Sequence, residues 1–150
     1  EQINHALSLV PKSSMALLQK AWILAHIGSH KEAMAIVQQK ISQEDPFFVE
    51  FVCLRGHLAA KLGDFDRAKK CKARLDSIQE SNPERSIMHQ RIIIAFDLGD
   101  MKEAQRLMKE NLKNYRGGMI FGLNDPFWAS IWEDPHLAEI KNEFESQVTA

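Results

Sequence analysis

Two histidines near the start of the sequence have a spacing that could support metal binding. His26 and His30 are four residues apart, and on a continuous helix this spacing presents two imidazoles to one metal ion. Gly28 lies between them and is predicted to end a helix, so the two rings are not expected to share a face. We therefore predict no metal site in this segment.

Basic residues recur at helical spacing in two later segments. Steps of three and four residues place each set on one helix face. The sets are Arg67, Lys70 and Arg74, and then Lys102, Arg106, Lys109 and Lys113. Such faces could contact an anion or a nucleic acid. Acidic residues lie close to both sets and no aromatic residues interleave with them, so a nucleic-acid ligand is disfavoured and remains the alternative interpretation.

The sequence contains no motif that predicts catalysis. It lacks a glycine-rich phosphate loop followed by lysine, a nucleophile elbow, a paired-cysteine metal site and a metalloprotease helix motif. We therefore predict a protein that is not an enzyme and that needs no cofactor.

Composition indicates an ordinary globular protein. The 150 residues are 45% hydrophobic and 26% charged with a net charge of −1, which gives no general case for binding nucleic acid or an acidic membrane. No apolar run approaches the roughly 18 residues of a membrane span. The only cysteines, Cys53 and Cys71, fall in predicted helices and are expected to be buried thiols, which favours a cytoplasmic location.

One short phrase occurs three times and organises the chain. Each copy has a glycine suited to ending a helix with positive φ and an alanine five residues later, where a small side chain allows close helix packing. The pairs are Gly28 and Ala33, Gly63 and Ala68, and Gly99 and Ala104. Successive glycines are 35 and 36 residues apart, a period typical of helix-turn-helix repeats.

Apolar periodicity predicts helices on both sides of each of these turns. The predicted helices span residues 2–10, 13–27, 30–42, 46–62, 64–79, 84–98 and 100–114. Helix 46–62 is apolar on nearly every face and is expected to be the most buried. The first helix is interpreted as the second half of a repeat that lacks its partner.

The pattern changes after Tyr115. Asp125-Pro126 and Asp134-Pro135 each combine a helix N-cap with a proline suited to the first helical position, which predicts helices 126–132 and 135–147. Trp128 and Trp132 share a helix face. We interpret them as part of a cap over the last repeat; a ligand pocket built on the tryptophans is the alternative.

The repeated phrase resembles the tetratricopeptide repeat family. That family has units of about this length, a small residue within the first helix (here Ala21 and Gly56, whereas Ile92 departs from the pattern), and glycine and alanine around the turn. The resemblance implies an all-α, right-handed superhelix. The implied repeats are a half repeat at 2–11 and units at about 13–46, 47–83 and 84–116, followed by a helical cap at 117–150. The runner-up, the pentatricopeptide repeat, has a similar period and reads single-stranded RNA.

The resemblance also implies a function in protein recognition. The family binds partners in a concave groove lined by the first helix of each unit. The corresponding residues here are Leu18, Trp22, His26, Glu50, His57, Lys61, His89 and Phe96. The family's carboxylate clamp is absent, so we expect a peptide or partner domain with a hydrophobic anchor. Alternatively, Leu18 and Trp22 pack on the preceding helix; self-association is left open.

Three of the expected groove positions are histidines. His57 follows His26 by 31 residues and His89 follows His57 by 32, which is about four fewer than the repeat period. The backbones of successive histidines in this series are then expected to be about 10–12 Å apart. At that separation their rings are too far apart to share one metal ion. We favour three independent histidines over a row of histidines that makes partner binding depend on pH.

The C-terminal segment suggests a setting for the module. The sequence from Asp125 to Leu137 resembles the end of repeat regions in bacterial multidomain signalling and transcription-regulator proteins. The resemblance implies that the module is part of a larger bacterial regulator.

Overall fold

The computed structural model describes residues 13–39, 42–83, 87–114 and 126–148, and over these residues the protein is all-α, with no strand. The predicted helix 2–10 lies outside the described residues. The helices are α1 (Ser14–His26), α2 (His30–Val37), α3 (Phe48–Lys61), α4 (Phe65–Ser81), α5 (Met88–Asp97), α6 (Met101–Asn114), α7 (Pro126–Trp132), a 3₁₀ turn (Pro135–Leu137) and α8 (Ala138–Val148).

Three inter-helix turns have the same backbone geometry. Gly28, Gly63 and Gly99 have φ values of 82°, 81° and 71°, which confirms the positive φ predicted for them. In each turn the glycine N–H bonds to the carbonyl three residues before it, and the next N–H bonds to the carbonyl five residues before it. This is the Schellman arrangement, which satisfies the last carbonyls of a helix.

The alanines of the repeated phrase lie in the core directly after these turns. Ala33, Ala68 and Ala104 are each 0% exposed. The second helices of the last two turns begin with aspartate caps, because Asp64 accepts a hydrogen bond from Arg67 N and Asp100 accepts one from Glu103 N. Ser29 makes no side-chain cap, so the first turn relies on its glycine geometry alone.

Two helix boundaries differ from the predicted ones because of polar contacts at their ends. The helix predicted over 30–42 ends at Val37, whose carbonyl accepts hydrogen bonds from Nε of Arg55 at 3.0 Å and from its Nη2. The helix predicted over 46–62 begins at Phe48, because Asp45 Oδ1 accepts from Phe47 N at 2.8 Å and holds a turn there.

The remaining boundaries lie close to the predictions, apart from the last. The structure replaces a single helix over 135–147 by a 3₁₀ turn followed by α8. Asp134 caps that turn by accepting from His136 N at 2.9 Å, with Pro135 in the first position, as predicted. Residues 84–86 of the predicted helix 84–98 lie outside the described residues.

Helix α3 lies at the centre of the packing. One of its faces packs with α1 and α2, and its other buried residues pack with α4 and α5. Nine of its residues are buried: Val49, Phe51, Val52, Cys53, Leu54, Gly56, His57, Leu58 and Ala59. This agrees with the apolar character of its sequence on nearly every face.

The C-terminal helices close one side of this core. Trp128, Ile131 and Trp132 of α7 are buried in the same cluster as residues of α5 and α6, together with Leu137 and Ile140. A hydrogen bond of 2.7 Å from Gln105 Nε2 to the carbonyl of His136 joins α6 to the 3₁₀ turn. Within the described ranges, no helix has the length and apolarity needed to cross a bilayer.

Candidate functional site

The predicted groove residues of α1 have three different environments. Leu18 is buried in the core, Trp22 is partly buried against both core clusters, and His26 is exposed in the last turn of the helix. Leu18 therefore offers little surface to a partner, whereas Trp22 keeps part of its ring accessible. Leu18 packs with residues of α2 and α3. The alternative in which Leu18 and Trp22 pack on the preceding helix concerns residues outside those that the structure describes, and Trp22 stays a candidate contact.

A shared carboxylate connects the groove residues of α3 to α5. His57 Nδ1 lies 2.6 Å from Asp97 Oδ2, and Lys61 Nζ lies 3.3 Å from Asp97 Oδ1. The Asp97 side chain is only 4% exposed, whereas that of Lys61 is 41% exposed. The ring of Trp22 lies 6.3 Å from that of His57. His57 therefore contacts residues of both α1 and α5, and of the three polar side chains Lys61 is the one that is largely exposed.

The groove residues of α5 lie against the C-terminal helices and the core. The ring of His89 meets the ring of Trp128 edge-on at 5.5 Å, and Phe96 packs partly against the core. The three histidines thus have separate surroundings. In the part of the chain that the structure describes, no group of three or more histidine, cysteine, aspartate or glutamate side chains is arranged to hold a metal ion.

Two buried acceptor atoms flank the contact between α3 and α5. Glu50 Oε2 and Gln90 Oε1 are buried and have no hydrogen-bond partner among the described residues. Cys53 lies at the same contact, because its Sγ is 3.8 Å from the main-chain carbonyl of Gln90, and the Glu50 charge contributes to raising its pKa. Buried acceptors are normally satisfied, so these two atoms could accept hydrogen bonds from a bound molecule.

The two cysteines are buried and free, as predicted. Burial, with a smaller contribution from Asp97, raises the pKa of the Cys53 thiol well above its ordinary value. Burial also raises the pKa of Cys71, although Arg55 and Arg67 act in the opposite direction. Both residues are therefore expected to stay protonated near neutral pH and to be poor nucleophiles.

The structure separates the two basic faces into unlike surfaces. On α6, Arg106 forms hydrogen bonds of 2.8–3.0 Å with Glu103 and Glu110. These contacts raise the pKa of Arg106, with the Glu103 hydrogen bond contributing most. The basic face of α4 instead lines a cleft of about 440 Å³ between α4, α3 and the end of α2. We call it the α3–α4 cleft.

Four cationic side chains surround the α3–α4 cleft, and they are Arg55, Arg67, Lys70 and Arg74. Of these four, only Arg67 pairs with a carboxylate of a described residue: its Nε lies 3.0 Å from Asp64 Oδ2 on the exposed surface. Arg74 bonds to Gln43 Oε1 at 2.7 Å, and its Cζ lies 6.0 Å from the centroid of the Phe48 ring. No acidic side chain lines the cleft within the described ranges.

Arg55 is the one cation of the cleft that the spacing of basic residues does not single out. It is the only charged residue between Glu50 and Lys61 in an otherwise apolar helix, a position where a charge needs a specific partner. The sequence therefore indicates that Arg55 has such a partner. The partner, the Val37 carbonyl, is fixed only by the packing of α2 against α3.

Comparisons of the chain with protein-family models, with curated proteins and with solved structures found no match.

Proposed function

We propose that this chain is a helical-repeat module of the tetratricopeptide type that recognises a partner protein and catalyses no reaction. The support is the recurrence of one unit in α1–α2, α3–α4 and α5–α6. In each unit a Schellman turn at glycine is followed five residues later by a fully buried alanine. Stacking of such units into a right-handed superhelix would give an extended surface for binding.

The surface that we assign to the partner is the side formed by the first helices, α1, α3 and α5. These helices contact one another directly, α3 packing against both α1 and α5. Trp22, Glu50 and Lys61 keep part of their surface accessible there. Aromatic and charged groups that remain accessible on adjoining helices are suited to recognition of a peptide segment.

The observation that carries this assignment is the pair of unsatisfied acceptors, Glu50 Oε2 and Gln90 Oε1. Leaving a buried acceptor without a hydrogen bond costs about 1–3 kcal/mol. Both atoms are buried, so a partner would have to displace neighbouring side chains before it could donate a hydrogen bond to either atom and recover part of that cost. The partner segment is therefore expected to offer N–H donors, from a lysine or arginine side chain or from free backbone amides.

Site-specific crosslinking in the source cell tests which face binds the partner. A photo-reactive amino acid replaces Lys61 on α3 in one variant and Lys69 on α4 in a matched control, because both residues are exposed lysines. We expect a defined crosslinked protein from the Lys61 position only. Crosslinking to the same protein from Lys69 alone would place the binding surface on the other side and overturn the assignment.

The affinity of the crosslinked protein then measures the role of the acceptor. Glu50→Gln removes the negative charge and keeps the shape of the side chain, so binding of a donor is expected to weaken by about tenfold. Lys69→Glu is the control and should leave the dissociation constant unchanged. Trp22→Ala is a poorer probe, because Trp22 packs against both core clusters and its loss would also destabilise the fold.

The location of the module within a larger bacterial regulator is part of the same proposal. It rests on the sequence between Asp125 and Leu137 alone.

A further inference from the structure

The α3–α4 cleft combines a cationic rim with an apolar floor. Its rim carries the four cations named above, and its floor includes Phe48, Val52 and Cys71. Its volume of about 440 Å³ is sufficient for one or two side chains of a bound molecule. A ligand that fits both parts must therefore carry negative charge next to an apolar group.

Three of the four cations of the cleft have no carboxylate partner among the described residues. Lys70 has no ion-pair partner among the described residues, and Arg55 uses its hydrogen bonds on a neutral carbonyl. Four cations around one concavity repel one another, and an anion that binds there would relieve that repulsion. The α6 face shows the contrast, because Glu103 and Glu110 already neutralise Arg106.

The same features argue against nucleic acid as the occupant. A nucleic-acid strand needs a basic surface that continues along its backbone, and on the second basic face Arg106 is already paired with Glu103 and Glu110. Successive bases also need several aromatic rings to stack on, whereas Phe48 is the only aromatic side chain among the described residues that line the cleft.

We propose that the α3–α4 cleft binds an acidic segment of a partner protein. Carboxylates of the segment would pair with Arg67, Lys70 and Arg74, and a neighbouring apolar side chain would rest on Phe48 and Val52. This surface is separate from the first-helix surface proposed above. The cleft needs a ligand that supplies hydrogen-bond acceptors, whereas the first-helix surface needs a ligand that supplies donors.

A pair of synthetic peptides tests the cleft directly. The probe is a short, end-blocked peptide in which glutamates flank a single leucine, and the comparison peptide has glutamine in place of every glutamate. Calorimetry with the full chain at about 50 mM salt is expected to detect binding of the acidic peptide only, with an affinity that falls as salt rises. Amide NMR shifts should locate the peptide on α3 and α4.

Two charge-matched double variants decide whether the cleft is the site. Arg67→Glu with Lys70→Glu is expected to weaken binding of the acidic peptide by at least about tenfold. Lys102→Glu with Lys109→Glu makes the same change in net charge on α6 and should change affinity by less than about twofold. Lys70→Gln, at an exposed position, gives an intermediate loss and guards against misfolding of the double variant.

The proposal is overturned by any of three results. The acidic peptide does not bind; or the α6 variant weakens binding as much as the cleft variant; or an oligothymidine strand binds the cleft more tightly than the peptide does. None of these results bears on Glu50 or Lys61, so failure here would leave the first-helix proposal standing.

Discussion

A methyl group added at Gly56 would lie 2.5 Å from Ile94 Cδ1 and 2.9 Å from Cys71 Cβ. Gly56 lies within α3, and its two neighbours belong to α5 and α4. The hydrogen atom at this position therefore allows three helices to pack closely. Ile94 could move its terminal methyl aside, but Cys71 Cβ is fixed to the backbone of α4, so any larger residue would push α3 and α4 apart.

Gly56→Ala is accordingly expected to destabilise the protein although alanine favours helix. The gain in helix propensity is about 1 kcal/mol, and overpacking typically costs about 1–3 kcal/mol. We expect a net loss of up to about 2 kcal/mol in urea unfolding. Adding Ile94→Val removes the nearest atom and should recover part of that loss beyond the additive value. A stabilised Gly56→Ala protein would contradict the close packing.

Gly63→Ala tests the turn geometry in the absence of a steric clash. No heavy atom would lie within 4 Å of the added methyl group, so the cost comes from the φ of 81° alone. Unfolding experiments should show a loss of about 1–2 kcal/mol. Gly63→Asn should lose less, because asparagine tolerates this conformation. Equal stability of wild type and Gly63→Ala would mean that the turn does not have positive φ in solution.

Asp76 links α4 to α5 and makes the free energy of unfolding depend on pH. Its carboxylate accepts hydrogen bonds from Lys72 at 2.9 Å and Arg91 at 2.8 Å. Burial acts to raise its pKa, but the hydrogen bonds and charges of Lys72 and Arg91 outweigh burial and lower the pKa. The folded-state pKa is below the unfolded-state value of about 3.9. The stabilisation by these contacts is therefore complete at pH values above the unfolded-state pKa.

The stabilisation is then lost as the pH falls through the folded-state pKa of Asp76. Asp76→Asn should be less stable than wild type by about 1 kcal/mol near neutral pH. The two proteins should converge once the pH is below the folded-state pKa. Urea titrations at a series of pH values measure the difference, and a constant difference down to the lowest pH would rule out the ion pair as its source.

Asn111 is a candidate for stabilisation by an apolar substitution. It is 1% exposed, and neither Nδ2 nor Oδ1 has a hydrogen-bond partner among the described residues. Replacing an unsatisfied buried amide by an apolar side chain of similar shape removes the cost of desolvating it. We expect Asn111→Leu to raise the free energy of unfolding by about 1–2 kcal/mol. A loss of stability would indicate that the amide is satisfied in solution.

The local features of the fold could be predicted from the sequence because neighbouring residues determine them. The glycine turns and the buried alanines follow from the repeated phrase, and Asp64 caps its helix with residues three positions away. The interpretation of Cys53 and Cys71 as buried thiols is also confirmed, because both lie at buried positions of α3 and α4.

Contacts between distant residues could not be predicted. Helix α2 ends early because of Arg55, which is 18 residues beyond Val37, and His57 is buried because Asp97, 40 residues later, lies beside it. The apolar periodicity of each segment contains no information about these partners. The cleft beside the cations of α4 likewise depends on which helices meet, which only the structure shows.

Hydrogen–deuterium exchange of the chain with its crosslinked partner is the most direct test of the proposed recognition surface. The proposal predicts slower exchange on binding in α1, α3 and α5, with α2, α4 and α6 changing little at their exposed positions. Protection confined to α2, α4 and α6 would contradict it.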